Sequence, residues 1–179
     1  MNLRKIGILV CAFAVTAACG ARSLQAQTAA QQPGIQAAFA SDAGRLSDKF
    51  VALAGVMTGK YSWKPGQGVR SVGEVFNLIV MENNMLTDIL AGSSAQSGAR
   101  PEPITDPAKM QEALRISYTN LQKAIIALPD SELKIPVKLF GMDLTKQGAP
   151  MLLLSDQHEH LGQSIAYART NGVTPPWSK

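Results

Sequence analysis

Apolar residues recur with helical spacing in four segments of the 179-residue chain. In the first segment they return at intervals of three, four and seven residues, which places them on one face of a helix. Similar patterns follow in three later segments. The predicted helices run from Ile35 to Met57, from Ser71 to about Leu90, from Asp106 to about Leu128 and from about Pro150 to Thr170.

Local signals support three of these boundaries. Ser71-Val72-Gly73-Glu74 has the spacing of a capping box, in which the Ser hydroxyl and the Glu carboxylate each satisfy a free backbone N–H. Asp106-Pro107 is a capping acid followed by proline at the first helical position. Asn171-Gly172 predicts a left-handed stop for the last helix.

The connections between the helices differ in character. Residues 91–105 are rich in Gly, Ser and Pro, which predicts a loop. Residues 129–145 alternate like extended chain, and Pro136 excludes a continuous helix there. The pattern predicts an all-α fold, a four-helix bundle with one long crossover connection.

The first 26 residues combine a basic start, a short apolar run and a boundary of small residues, which is typical of a secretory signal peptide. We expect cleavage after Ala26, a flexible leader over 27–34, and a bundle domain over 35–179. The protein would then be periplasmic or secreted. The alternative is a lipoprotein anchored through Cys19.

The charge of the chain depends on this segment. It holds three of the 17 basic residues and none of the 13 acidic ones, which leaves 14 basic against 13 acidic residues. This balance argues against nucleic acid as a partner, and against a membrane unless Cys19 is lipidated. Both cysteines, Cys11 and Cys19, lie in the predicted signal. The remaining chain therefore has no disulfide.

The stretch DQHEHLGQ in the last helix contains both histidines of the chain. At about 100° per residue, Asp156, His160, Gln163 and Tyr167 share one stripe. His158 lies on roughly the opposite side, so the two histidines are not placed to bind one ion. Asp156 and His160, one turn apart on the same side, are placed to bind one ion.

Polar residues also share a stripe in the second helix. Asn77, Asn84 and Asp88 recur there within an otherwise apolar segment. If this stripe faces that of the last helix, Asn84, Gln163 and Tyr167 line a common polar pocket. The cluster Glu82-Asn83-Asn84 is interpreted as a solvated patch, although Asn84 shares the face of Asn77.

Two blocks of sequence resemble the DinB-like helical bundle superfamily. The C-terminal block runs from His158 to Arg169 and continues through Asn171-Gly172 to Pro175-Pro176-Trp177-Ser178. The second block is Trp63-Lys64-Pro65 followed by the Ser71 capping box. Together they span most of the chain that follows the predicted signal.

The resemblance implies a four-helix bundle in which three histidines bind one divalent metal, often zinc or nickel. By position, these histidines correspond to Asn77, Asp156 and His160, so only one is retained. One imidazole, one carboxylate and one amide make a harder and weaker site than three imidazoles. We therefore expect a hydrogen-bonded polar pocket, with metal binding weak or absent.

Three functions remain open at this point. The first is an exported DinB-like protein with a degenerate metal pocket and a structural or small-molecule-binding role. The second is a metal-dependent transferase or hydrolase that uses Asn77, Asp156 and His160. The third is an interaction module that acts as a homodimer. The sequence assigns no catalytic residue and leaves open whether the protein is an enzyme.

Overall fold

The computed structural model describes residues 34–93 and 101–178. The predicted signal peptide and all of the predicted leader except its last residue lie outside the described residues. The same is true of Cys11 and Cys19. The predictions of export and lipidation therefore stay predictions.

The four predicted helices are confirmed. Their ends agree with the sequence patterns to within one or two residues. The helices are α1 (Ile35–Val56), α2 (Val72–Leu90), α3 (Pro107–Ala127) and α4 (Gly148–Thr170).

The boundary signals act as predicted. The Ser71 hydroxyl accepts the Glu74 N–H, and the Glu74 carboxylate accepts the Ser71 N–H at 2.6 Å. Asp106 accepts the N–H of Lys109 at 2.8 Å at the start of α3. Gly172, just beyond α4, has a φ of 70°, which glycine adopts without the steric cost of a Cβ.

The ambiguous stretch before α4 forms a β-hairpin. A short 3₁₀ turn at Asp130–Glu132 leads into β1 (Pro136–Leu139), which pairs antiparallel with β2 (Met142–Thr145). The two turn residues, Phe140 and Gly141, both have positive φ, at 52° and 79°. This is the twist that a two-residue hairpin needs. The predicted crossover is thus a small sheet attached to a helical bundle.

The helices pack so that α1 and α2 lie at diagonally opposite corners. Each of them contacts both α3 and α4. The core contains an aromatic cluster in which the ring of Phe50 lies 6.4 Å from that of Phe76 and 6.3 Å from that of Tyr118. The diagonal arrangement brings one face of α2 against α4, where the polar residues meet. Within the described ranges, no helix is long and apolar enough to cross a membrane.

Candidate metal centre

Three possible metal ligands converge between α2 and α4. Glu82 comes from α2, and Asp156 and His160 come from α4. Each offers one donor atom, and the three atoms all lie within 4.8 Å of one another. Nε2 of His160 lies 3.5 Å from Oδ2 of Asp156, as their i and i+4 spacing predicts.

Glu82 is the unusual member of this cluster. It is only 3% exposed, and its Oε2 atom has no hydrogen-bond partner among the described residues. Burial, and then the nearby Asp156, raise the pKa of Glu82 from 4.5 to about 7, against opposing effects of Gln157 and Arg70. An ionised carboxylate in this position is costly without a compensating cation.

A chain of hydrogen bonds determines the tautomer of His160. The backbone carbonyl of Arg70 can only accept, so the Tyr167 hydroxyl donates to it, at 3.2 Å. Tyr167 accepts from Nε2 of Gln163 at 2.7 Å, which directs Oε1 of Gln163 towards Nδ1 of His160 at 3.0 Å. Nδ1 of His160 is therefore the protonated nitrogen. The lone pair of a neutral His160 lies on Nε2, on the side of the carboxylates.

The Trp63 ring packs against Tyr167 in this chain of hydrogen bonds. The contact is edge-on, with 5.3 Å between ring centroids. Hydrogen bonds of this kind orient the histidine ligands of metal sites in many proteins. Gln163 and Tyr167, predicted to line the pocket, thus contact the cluster by holding its histidine.

A second polar network lies beside the cluster in the core. Gln157 donates to Oδ1 of Asn83 at 2.7 Å and accepts from the Tyr118 hydroxyl at 2.9 Å. Asn83 in turn donates to Ser117 at 3.1 Å. Burial, and then the nearby Glu82, raise the pKa of Tyr118 well above its ordinary value. The interpretation of the cluster Glu82-Asn83-Asn84 as solvated is wrong for Glu82 and Asn83, which are buried, and holds for Asn84, which is exposed.

Asn77 has a different role from the one that the resemblance implies. Its amide nitrogen donates to the carbonyls of Gly73 and Ile104, and its oxygen accepts the N–H of Ile104 at 2.9 Å. The amide oxygen is thus used to hold a loop. Asn77 and Glu82, five residues apart, point about 140° apart around α2. The acid Glu82, rather than Asn77, joins Asp156 and His160.

The more conspicuous histidine lies apart from the cluster. His158 has half of its side chain exposed, and its Nε2 lies 2.9 Å from Oδ2 of Asp42 on α1. The prediction that the two histidines point to different sides of α4 is confirmed.

Two cavities border this region. The smaller, of about 490 Å³, is lined by residues that include Arg70, Glu74 and Gln163. The larger, of about 1130 Å³, is lined by α2 and by the loops before α2 and α3. Asn77 and Asn84 lie on the larger cavity, and Arg70 and Glu74 line both. Of the three residues predicted to share one polar pocket, Asn84 lines the larger cavity, Gln163 lines the smaller one, and Tyr167 lines neither.

The fold has known counterparts. A DinB-like protein from Bacillus subtilis matches with a TM-score of 0.63 and 16% identity, over 76% of this chain and 93% of that one. A DinB-like protein from Bacillus cereus matches with a TM-score of 0.65 and 18% identity, over 79% of this chain and 95% of that one. The protein has the DinB-like fold. No protein-family model and no curated protein sequence matches the chain.

Within this DinB-like bundle, sequence reasoning missed one residue of the cluster. Glu82 and Asn83 follow Ile79 by three and four residues, and Leu86 follows it by seven. These are core positions of a helix, and both Ile79 and Leu86 are fully buried. Glu82 and Asn83 thus occupy positions where the helical pattern calls for apolar residues, and this was the signal in the sequence for a buried polar site.

Proposed function

We propose that the protein is an exported DinB-like bundle protein that binds a divalent metal ion through Glu82, Asp156 and His160. The observation that carries the proposal is the arrangement of acceptors. A buried carboxylate oxygen without a hydrogen-bond partner lies beside a second carboxylate and the lone pair of an imidazole. Groups of this kind repel one another unless a cation or a proton lies between them.

The chemistry of the donors fits a metal ion. Imidazole nitrogen and carboxylate oxygen both bind zinc, and carboxylates also suit manganese. Two carboxylates and one imidazole are thus suitable ligands for Zn²⁺ and for Mn²⁺. A divalent ion held there would supply an electrophilic centre for a polar substrate.

Glu82 makes metal binding more favourable than the sequence alone indicated. The expectation of weak or absent metal binding rested on Asn77, whose neutral amide is a poor ligand. Glu82 replaces it with a charged donor, and the hydrogen-bond chain through Gln163 and Tyr167 supports the orientation that His160 needs to bind through Nε2. Both features favour binding over a vestigial pocket.

The test is the metal content of protein purified without a histidine tag. We expect about one divalent ion per chain by mass spectrometry of the metals. Titration of the stripped protein with Zn²⁺ and Mn²⁺ gives the affinities of the wild type and of Glu82→Gln and His160→Gln. Each substitution removes one of three ligands, so we expect each to weaken binding at least tenfold.

His158→Gln is the matched control, because it removes the other histidine of the same helix. It should bind metal like the wild type. The proposal is wrong if neither ion binds the stripped protein, or if His158→Gln weakens binding as much as His160→Gln does.

Export rests on the sequence of the first 26 residues alone. Expression of the full chain with its native start, followed by cell fractionation and determination of the mature N-terminus, tests it. A mature chain that begins at Gln27 supports a secretory signal, and one that begins at a lipidated Cys19 supports the anchor. An uncleaved chain in the cytoplasm would contradict both.

A further inference from the structure

The larger cavity is long and mostly apolar. The α2 residues that line it run from Ser71 to Asn84, a length of about 20 Å at 1.5 Å per residue. Polar and apolar residues both line it, but most of the surface that they expose to the cavity is apolar. The lining includes Leu78, Val80 and Met81 on α2, Tyr61 on the preceding loop, and Pro103 and Ile104 on the loop before α3. An apolar cavity of this volume is typical of a small-molecule site.

Charged groups lie towards one end of the cavity, at the first turn of α2. Lys64 and Arg70 both line it there, beside Glu74. Hydrogen bonds from Ser71, and then these two cations, hold the pKa of Glu74 below its ordinary value. The Glu74 carboxylate already accepts the Ser71 N–H in the capping box. This end of the cavity therefore has two cationic side chains and one carboxylate that is already hydrogen-bonded. Glu102 is the other acid of the lining, and it belongs to the opposite loop.

The first turn of α2 adds to this positive potential. The positive end of the helix dipole lies at the same end of the cavity. The backbone N–H groups of Val72 and Gly73 are already bonded to the carbonyls of Trp63 and Tyr61. A ligand anion would therefore interact with the side chains of Lys64 and Arg70.

The wall opposite α2 is held by Asn77. Its amide forms two hydrogen bonds with the backbone of Ile104, which fixes the loop before α3 to the second turn of the helix. Asn77 is thus a positioning residue for the cavity. This explains why a polar side chain lies in the middle of an apolar lining.

We propose that the larger cavity binds an elongated small molecule with an apolar body and an anionic end, with the anion at Arg70 and Lys64. The apolar body lies along α2 beneath the loop that Asn77 holds. This site does not include Glu82, Asp156 or His160, so the binding does not require a metal ion.

Calorimetric titration of the metal-stripped protein tests the proposal. The probes are decanoate, decyltrimethylammonium and decanol, and the two ionic probes are used below the concentrations at which they form micelles. We expect one decanoate per chain, bound at least tenfold more tightly than the cation. Arg70→Gln should weaken decanoate binding about tenfold and leave decanol binding unchanged, because it removes a charge-assisted contact only.

Asn84→Trp places a large side chain in the cavity from an exposed helical position, and it should abolish binding of all three probes. The matched controls are Arg169→Gln and Asn120→Trp, exposed positions outside the cavity, and both should bind decanoate normally. Equal affinity for the anion and the cation would refute the proposal that the site binds an anionic end group. Wild-type decanoate binding by Asn84→Trp would overturn the cavity as the site.

Discussion

Glu82→Gln in the metal-free protein tests the buried carboxylate most directly. Gln has nearly the same shape as Glu but cannot ionise. In the wild type, the raised pKa means that the folded state holds a proton which the unfolded state releases. The contribution of this proton to stability is fully present below pH 4.5, and it is lost as the pH rises to about 7.

The size of the effect follows from the width of this window. A shift from 4.5 to about 7, at 1.36 kcal/mol per unit, sets an upper bound of about 3 kcal/mol. Residual solvation of Asp156, whose side chain is 36% exposed, reduces this to about 2 kcal/mol. At pH 8 we therefore expect metal-free Glu82→Gln to be about 2 kcal/mol more stable than the wild type. At pH 4.5 the two should be nearly equal.

The assay is urea unfolding in the presence of a chelator, followed by circular dichroism at both pH values. Glu159→Gln, a change of an exposed glutamate on α4, is the control and should show no such pH-dependent difference. The reasoning is refuted if Glu82→Gln changes stability by the same amount at both pH values. It is also refuted if the variant is the less stable protein at pH 8.

Metal reduces the difference in stability between the two proteins at pH 8. A ligand at one hundred times its dissociation constant stabilises the folded state by about 2.7 kcal/mol. The wild type should gain this amount at pH 8 in saturating Zn²⁺ or Mn²⁺, whichever binds. Glu82→Gln lacks one donor, and at least tenfold weaker binding limits its gain to about 1.4 kcal/mol at the same metal concentration. One substitution is thus expected to stabilise the stripped protein and to lose about half or more of the stabilisation by metal.

Three further changes test local features of the fold, each by urea unfolding. Ser71→Ala removes the capping box with Glu74 and should cost about 1 kcal/mol, whereas no change would show that the cap is dispensable. Phe140→Gly should stabilise the hairpin by about 0.5–1 kcal/mol, since glycine tolerates positive φ; destabilisation would mean that the ring packs usefully. Lys146→Met removes the ammonium that binds Glu132 and the buried Leu90 carbonyl, and should cost about 1–2 kcal/mol; an unchanged midpoint would contradict this.

Most of the fold follows from signals that are local in sequence. The Ser71 box, the Asp106-Pro107 start and the Gly172 stop each depend on residues within one helical turn. The apolar periodicity of α1 likewise needs no knowledge of its neighbours. These features could be predicted because the physical cause and the residue that reports it lie close together in the chain.

Only part of the candidate site could be predicted from the sequence, because the contacts that bury its residues form between different helices. The spacing of Asp156 and His160 placed them on one face of α4 correctly. Whether Glu82 is buried depends on its facing that pair across α2 and α4. Whether Asn83 is tolerated in the core depends on Gln157 and Ser117. Periodicity within α2 indicates that both side chains occupy core positions, but it does not identify the partners on α3 and α4 that make their burial possible. Without those partners, both residues were assigned to solvent.

The two proposed sites lie on different faces of the same helix, and this separates their effects. Glu82 faces α4, whereas Asn77, Met81 and Asn84 line the cavity on another side. Arg70 is the link, since it lines both cavities and its charge acts on Glu82. An anion bound at Arg70 would partly neutralise that charge and so disfavour the ionised form of Glu82, which is the form that binds metal. Decanoate should therefore weaken metal binding modestly in the wild type and not in Arg70→Gln. Equal weakening in both proteins would show that the two sites are coupled by some other route.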